Sequence, residues 1–122
     1  DILPLINQNL ISSIAHITGG GIYENLIRAI PEGYVAEINF KNFKIPEKFI
    51  WIKKHGNISE SEMLRTFNCG IGMILIINAQ SIKQVQKYFE KNEIIFFDMG
   101  KIIKTKGKRN IKINNFGIWN LE

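Results

Sequence analysis

Apolar positions recur along this chain in two rhythms, and each change of rhythm marks the edge of an element. Ile2, Leu3, Leu5, Ile6 and Leu10 fall at helical spacing from the start, with no capping residue before them. Together with an opening Asp1, this predicts a segment of a longer polypeptide. Ile14, Ala15 and Ile17 predict a short buried strand. Ile22, Leu26 and Ile30 then stand at i, i+4 and i+8, one stripe of a helix that Pro31 and Gly33 bring to an end. Tyr34, Ala36, Ile38 and Phe40 alternate with Val35, Glu37 and Asn39, the period of a half-buried strand. Pro46 suits the first position of a helix carrying Phe49, Trp51 and Ile52, closed by His55-Gly56.

The second half follows the same grammar. Ser59 and Glu62 form a capping box, with Ile58 and Met63 placed as its hydrophobic staple. Ile71–Ile77 is apolar without alternation, which predicts a central strand covered on both faces. Ser81 and Gln84 suggest a second capping box, opening a helix whose buried face is Ile82, Val85 and Phe89. Ile94–Phe97 predicts a further buried strand. Ile102-Ile103 then leads into a hairpin around Gly107 that returns through Ile111 and Ile113. Strands and helices mix without strict alternation, so the expected fold is α/β (α+β), a layered sandwich of a mixed sheet with helices. The 122 residues make one domain or part of one.

Composition narrows the function classes. At 45% hydrophobic and 22% charged the chain can bury a core. A net charge of +5 and a pI near 9.4 raise the question of nucleic acid. The lysines are scattered, however, and their densest run (Lys101, Lys104, Lys106, Lys108, Arg109) lacks the interleaved aromatics that stack bases. No nucleic acid is expected as a partner. The apolar runs are too short to span a bilayer, so no membrane is expected either. The lone Cys69 excludes an internal disulfide and fits a reducing, cytoplasmic setting. His16 and His55 stand far apart and no cysteine pairs exist, so no metal site is expected in this segment.

Two stretches carry candidate chemistry. In His16-Ile17-Thr18-Gly19-Gly20-Gly21-Ile22-Tyr23-Glu24-Asn25 a glycine triplet stands between a strand and a helix. Glycine tolerates φ > 0 and close backbone approach, and a helix start leaves N–H groups unpaired, so this is the layout of a phosphate site. Tight packing alone also uses such turns. The stretch lacks the Lys-Ser/Thr of a P-loop and the spacing of the dinucleotide fingerprint. In Met63-Leu64-Arg65-Thr66-Phe67-Asn68-Cys69-Gly70-Ile71-Gly72-Met73, polar groups sit at a helix-to-strand junction. Arg65 could fork onto a phosphate or carboxylate, or Arg65 and Asn68 could merely tie down carbonyls at the helix end. Cys69 reads as a small apolar filler with no base beside it. A lone histidine such as His16 is more often hydrogen-bonded structure than a general base.

Taken together these stretches resemble a known family. Ala15-His16-Ile17-Thr18-Gly19-Gly20-Gly21 with Glu24-Asn25, Arg28 and Pro31-Glu32-Gly33 is similar to the C-terminal half of the phosphoribosylformylglycinamidine cyclo-ligase (aminoimidazole ribonucleotide synthetase) family. Gly56-Asn57, Glu62-Met63 and Arg65 to Met73 resemble its second signature, and Met99-Gly100-Lys101-Ile102 a third, weaker one. The similarity runs from about Ala15 to Ile103; the ending Phe116-Gly117-Ile118-Trp119 matches no pattern. The resemblance implies ATP-driven closure of an imidazole ring in purine biosynthesis, forming a C–N bond. It implies that Gly19, Gly20 and Gly21 with Thr18 cradle a phosphate, most plausibly that of the ribonucleotide substrate. Asn25, Arg28, Arg65 and Asn68 would position that loop or the substrate, and His16 would anchor the turn.

By the same resemblance, residues 1–122 are most of the C-terminal domain of a longer enzyme, truncated at the N-terminal side. The family's other half, carrying most of the ATP and magnesium site and the homodimer contact, lies outside this segment, so no catalytic residue is assigned and the fragment is expected to be inactive alone. Two alternatives differ in class. A related superfamily synthetase or kinase would place an Asp after the histidine of the glycine loop, where Ile17-Thr18 stands instead. A stand-alone module would bind an anion or acidic partner without catalysis.

Overall fold

The computed structural model describes residues 2–114 and Trp119. Its elements run α1 (Leu3–Asn7), β1 (Ser13–His16), α2 (Gly21–Arg28), β2 (Tyr34–Asn39), α3 (Glu47–His55), α4 (Glu60–Thr66), β3 (Met73–Ile76), α5 (Ile82–Lys91), β4 (Gly100–Lys104) and β5 (Asn110–Asn114). β1 and β3 form an antiparallel ribbon; β4, β2 and β5 form a mixed sheet in that order. This is the layered α/β arrangement that the mixed rhythm implies. Asp1 and the Phe116-Gly117-Ile118 part of the unmatched ending lie outside the described residues.

Two apolar clusters share the ribbon between them. The main core gathers Ile22, Leu26 and Ile30 of the α2 stripe with Ala15, Ala36, Ile38, Phe40, Met63 and Leu64, and Ile74 and Ile76 pack on it. The second holds Leu5, Leu10, Val85 and Phe89, with Leu75 and Ile77 against it. Successive residues of β3 therefore serve opposite cores, which explains an apolar run without alternation. The expected central strand is nonetheless shorter than the run. Among the described residues β3 pairs only with β1, and Met73 at its start is 47% exposed. β2 departs from simple alternation too: Val35, on its expected outer face, is buried. β2 is the middle strand of its sheet, with both of its edges hydrogen-bonded, to β4 and to β5.

Other expectations fail for local reasons. Ile94–Phe97 forms no strand: Ile94 and Phe96 pack on the second cluster, while Ile95 is 86% exposed and Phe97 stands edge-on to Phe43. The segment is apolar yet pairs with no strand among the described residues, and Ile94 N–H donates instead to the Phe89 carbonyl (2.9 Å) of α5. The expected hairpin around Gly107 is absent, because β2 lies between β4 and β5, antiparallel to one and parallel to the other. The connection wraps the start of β2 instead: Thr105 N–H donates to the Gly33 carbonyl (2.8 Å), and Arg109 reaches Glu32 (Nε–Oε1 3.3 Å) and the Ile30 carbonyl (3.3 Å). Arg109 is thus a clamp rather than part of a solvated lysine tip.

The caps divide similarly. Ser59 Oγ accepts from Glu62 N–H (3.2 Å) as expected. The return half of that box is replaced by Thr66 Oγ1 donating to the Glu62 carboxylate (3.2 Å). Ser81 makes no side-chain cap, because its backbone is already helical (φ −96°, ψ −7°) at the end of a short 3₁₀ turn, Ala79–Ser81. A capping side chain needs an extended backbone at its own residue. Pro46 sits one position before α3 rather than inside it, and Gly56 closes that helix as expected.

Candidate functional site

The two motif-bearing stretches meet in space. Ile17 N–H donates to the Gly72 carbonyl (2.9 Å), extending the ribbon pairing up to the glycine loop. Gly21, the first residue of α2, packs against the last turn of α4 so closely that a Cβ there would overlap the Leu64 carbonyl oxygen. Its φ of +60° disfavours any other residue as well. That contact sets α4 beside the start of α2. Arg65, the next residue along α4, then lies over the Tyr23 ring at 5.4 Å from its centroid. Glycine at 21 is therefore what lets the second motif reach the first.

The loop itself is a tight turn. Gly21 N–H donates to the Thr18 carbonyl (3.0 Å), and Glu24 N–H to the Gly20 carbonyl (3.3 Å) as the first helical bond. The amides of Gly19, Gly20, Ile22 and Tyr23 donate to no acceptor among the described residues. These are the orphan donors of a helix start, where the backbone field favours an anion. Asn25 holds the loop from within the helix. Its side-chain amide donates to the carbonyls of Gly21 (2.8 Å), Gly19 (3.2 Å) and Thr18 (3.4 Å), and Thr18 Oγ1 reaches its Oδ1 (3.4 Å). Because Asn25 engages carbonyls, it steadies the turn without consuming its N–H groups. A Cβ on Gly19 would meet nothing within 4 Å, so the space beside that residue is open.

Glu24 modifies this picture. Its carboxylate lies over Gly20, where a Cβ on that glycine would overlap it. A negative charge in the first helical turn is favourable to the empty loop and opposes a second anion. Glu24 and Tyr23 are the residues of this site that sequence reading missed. Glu24 carries a signal, an acid in the first turn of a helix. Tyr23 carries none, since its partner Arg65 lies on another helix.

The remaining candidates do not join the loop in the same way. Asn68 sits in the turn after α4, where its Oδ1 accepts from Gly70 N–H (3.0 Å) and its carbonyl from Ile71 N–H (2.9 Å). His16 ends β1 opposite Met73; it is exposed, and its ring makes no hydrogen bond to a described residue, so Asn25 rather than His16 anchors the turn. Arg28 is exposed in the last turn of α2, at the other end of the helix from the loop. Cys69 is buried, its Sγ directed at the carbonyls of Met63 (3.5 Å) and Phe67 (3.7 Å), and burial pushes its thiol up to about 12. A thiol so placed is a filler and not a nucleophile. Among the described residues no group of three His, Cys, Asp or Glu side chains could hold a metal ion, and no helix is long and apolar enough to cross a membrane. A separate open cleft of about 470 Å³, lined by Glu32, Gly33, Tyr34, Lys104, Thr105 and Lys106, lies at the β4–β5 connection and involves none of the loop residues.

Comparison with known proteins bears on this geometry. Residues 1–112 match the family model described as AIR synthase related protein, C-terminal domain. Over 101 residues the chain is 42% identical to a phosphoribosylformylglycinamidine cyclo-ligase of Methylobacillus flagellatus, covering 83% of this chain and 29% of that protein. A cyclo-ligase of the same name from Neisseria meningitidis is 42% identical over 106 residues, 87% of this chain and 31% of its own length. The trifunctional purine biosynthetic protein adenosine-3 of Gallus gallus is 40% identical over 115 residues, 93% of this chain and 11% of that protein. The chain thus spans about a third or less of the relatives it matches.

Proposed function

This chain belongs to the family described as AIR synthase related protein, C-terminal domain, and from that premise we propose that it is the phosphate-holding part of a phosphoribosylformylglycinamidine cyclo-ligase in purine biosynthesis. In this reading residues 1–122 are most of one domain of the enzyme. The observation that carries the proposal is the meeting of the two motifs: next to the unengaged amides of Gly19, Gly20, Ile22 and Tyr23, Gly21 packs on the last turn of α4 and Arg65 lies over the Tyr23 ring. The ligand is a ribonucleotide phosphate, which presents several acceptor oxygens and up to two negative charges to that cradle.

The roles follow from the geometry. Backbone N–H groups fixed before the ligand arrives need no reorganisation to receive phosphate oxygens, the condition under which such donors are most effective. Asn25 and Thr18 hold the loop in shape, Arg65 supplies full positive charge, and the Glu24 carboxylate must leave Gly20 for an anion to settle. Asn68 keeps the α4–β3 turn, and Arg65 with it, in place. ATP drives the ring closure when bound, and magnesium accompanies it. As the family resemblance implies, both would be held mainly by the part of the enzyme outside this segment. The N-terminal half of the same polypeptide and a second copy of it are the proposed partners, and the cytoplasm the proposed location.

A chimera tests this reading. This chain replaces the matching 106 residues of the Neisseria meningitidis cyclo-ligase, and ring closure is assayed. The expected result is turnover by the chimera and its loss with Gly19→Val. A chimera that folds and turns over equally well with Gly19→Val contradicts the phosphate cradle.

A further inference from the structure

Arg65 can serve an anion at the loop only if its guanidinium is kept there, and its own helix does not keep it. It is exposed, makes no ion pair among the described residues, and its neighbour Glu62 is engaged by Thr66. An unrestrained arginine loses much of its usefulness to rotamer freedom. The one contact that localises it is the face of Tyr23, at 5.4 Å. Tyr23 is in turn fixed, because it packs against the main core as part of the first turn of α2, directly after the glycine triplet.

Resting on the reading of the loop as a phosphate site, we infer that Tyr23 is a positioning residue. Its ring parks the Arg65 guanidinium beside the loop, and so offsets the Glu24 carboxylate that otherwise opposes an anion there. The charges around the loop favour this role. The helix start contributes about half an elementary charge, and Glu24 lying over Gly20 contributes a full opposite one. A cation localised nearby offsets that opposing charge, and a dianion gains more from it than a monoanion. The ring matters and the phenol hydroxyl does not, since a cation is attracted by the face of the aromatic system.

Calorimetric titration of ribose 5-phosphate into the chain tests this with six variants, each checked for an unchanged thermal midpoint. Tyr23→Phe and Tyr23→Trp are expected to bind as the parent does. Tyr23→Leu should weaken binding roughly two- to fivefold, the range of an exposed cation–π contact. Arg65→Ala should weaken it more, and Tyr23→Leu added to Arg65→Ala should cost nothing further. Rescue by the aromatic variants and the missing additivity are what a merely structural tyrosine would not give. If Tyr23→Leu binds like the parent while Arg65→Ala is weakened, or if Tyr23→Phe is weakened as well, the positioning role is wrong and the loop reading stands. If neither Arg65→Ala nor Gly19→Val affects binding, the loop reading itself fails.

Discussion

The glycine loop and the turn after α4 are built from similar parts and end up opposite in character. Each has an asparagine and a glycine of positive φ, Asn25 with Gly20 and Asn68 with Gly70. In the loop the asparagine donates to three carbonyls and accepts from the Thr18 hydroxyl, and four neighbouring N–H groups donate to no described residue. In the turn it works as an acceptor, taking the Gly70 N–H for itself. One arrangement leaves backbone donors unengaged; the other spends a donor on closing the turn. Whether the asparagine takes up a backbone N–H or leaves it unengaged therefore separates the two turns, and composition does not.

The strongest way to break the comparison is at the contact both regions share. Gly21→Ala places a Cβ against the Leu64 carbonyl in a left-handed backbone. Strain and overpacking together predict a loss of about 3 kcal/mol or more. Urea unfolding should show a large fall in midpoint, and an unchanged midpoint would mean that α2 and α4 are not packed as described.

Asparagine-to-aspartate exchange sharpens it next. Asn25→Asp removes the side-chain amide that donates to three loop carbonyls and adds a negative charge beside the loop, and binding of ribose 5-phosphate should weaken by about tenfold, on the order of 1.4 kcal/mol. Asn68→Asp keeps its acceptor, so affinity and stability should both stay close to the parent. Equal effects of the two exchanges on affinity would remove the distinction. On the turn side alone, Ser59→Ala should cost about 1 kcal/mol of stability through loss of the α4 cap, with ligand affinity unchanged.

The last test concerns Cys69, and its effect is confined to alkaline pH. Its thiol stays protonated in the folded chain up to about 12, against an ordinary 9.0. The unfolded thiol therefore loses its proton first, and stability present below pH 9 falls as pH rises from about 9 towards 12. The stability difference between the parent and Cys69→Ala should shrink across that window. A constant difference would place the thiol in contact with water.

Much of this was legible in advance, and the physical reason is locality. The Ser59 cap, the Ile22-Leu26-Ile30 stripe and the glycine triplet each depend on neighbours within one turn, so their residues announce them. The order β4-β2-β5 does not, because it depends on Arg109 and Thr105 gripping the start of β2 across the whole chain. Ile94–Phe97 carries a strand's composition, but composition cannot supply a pairing partner. At the site, the glycines and Asn25 were readable as a loop, whereas the stacking of Arg65 on Tyr23 required knowing that Gly21 lets two helices close.

The central claim is that the space beside Gly19 belongs to a phosphate. Calorimetric titration of ribose 5-phosphate into the parent chain and Gly19→Val tests it most directly, since the added side chain meets no protein atom within 4 Å of its Cβ. The account predicts stability within about 0.5 kcal/mol of the parent and binding lost by roughly tenfold or more. Undiminished binding by Gly19→Val, at equal stability, would contradict it.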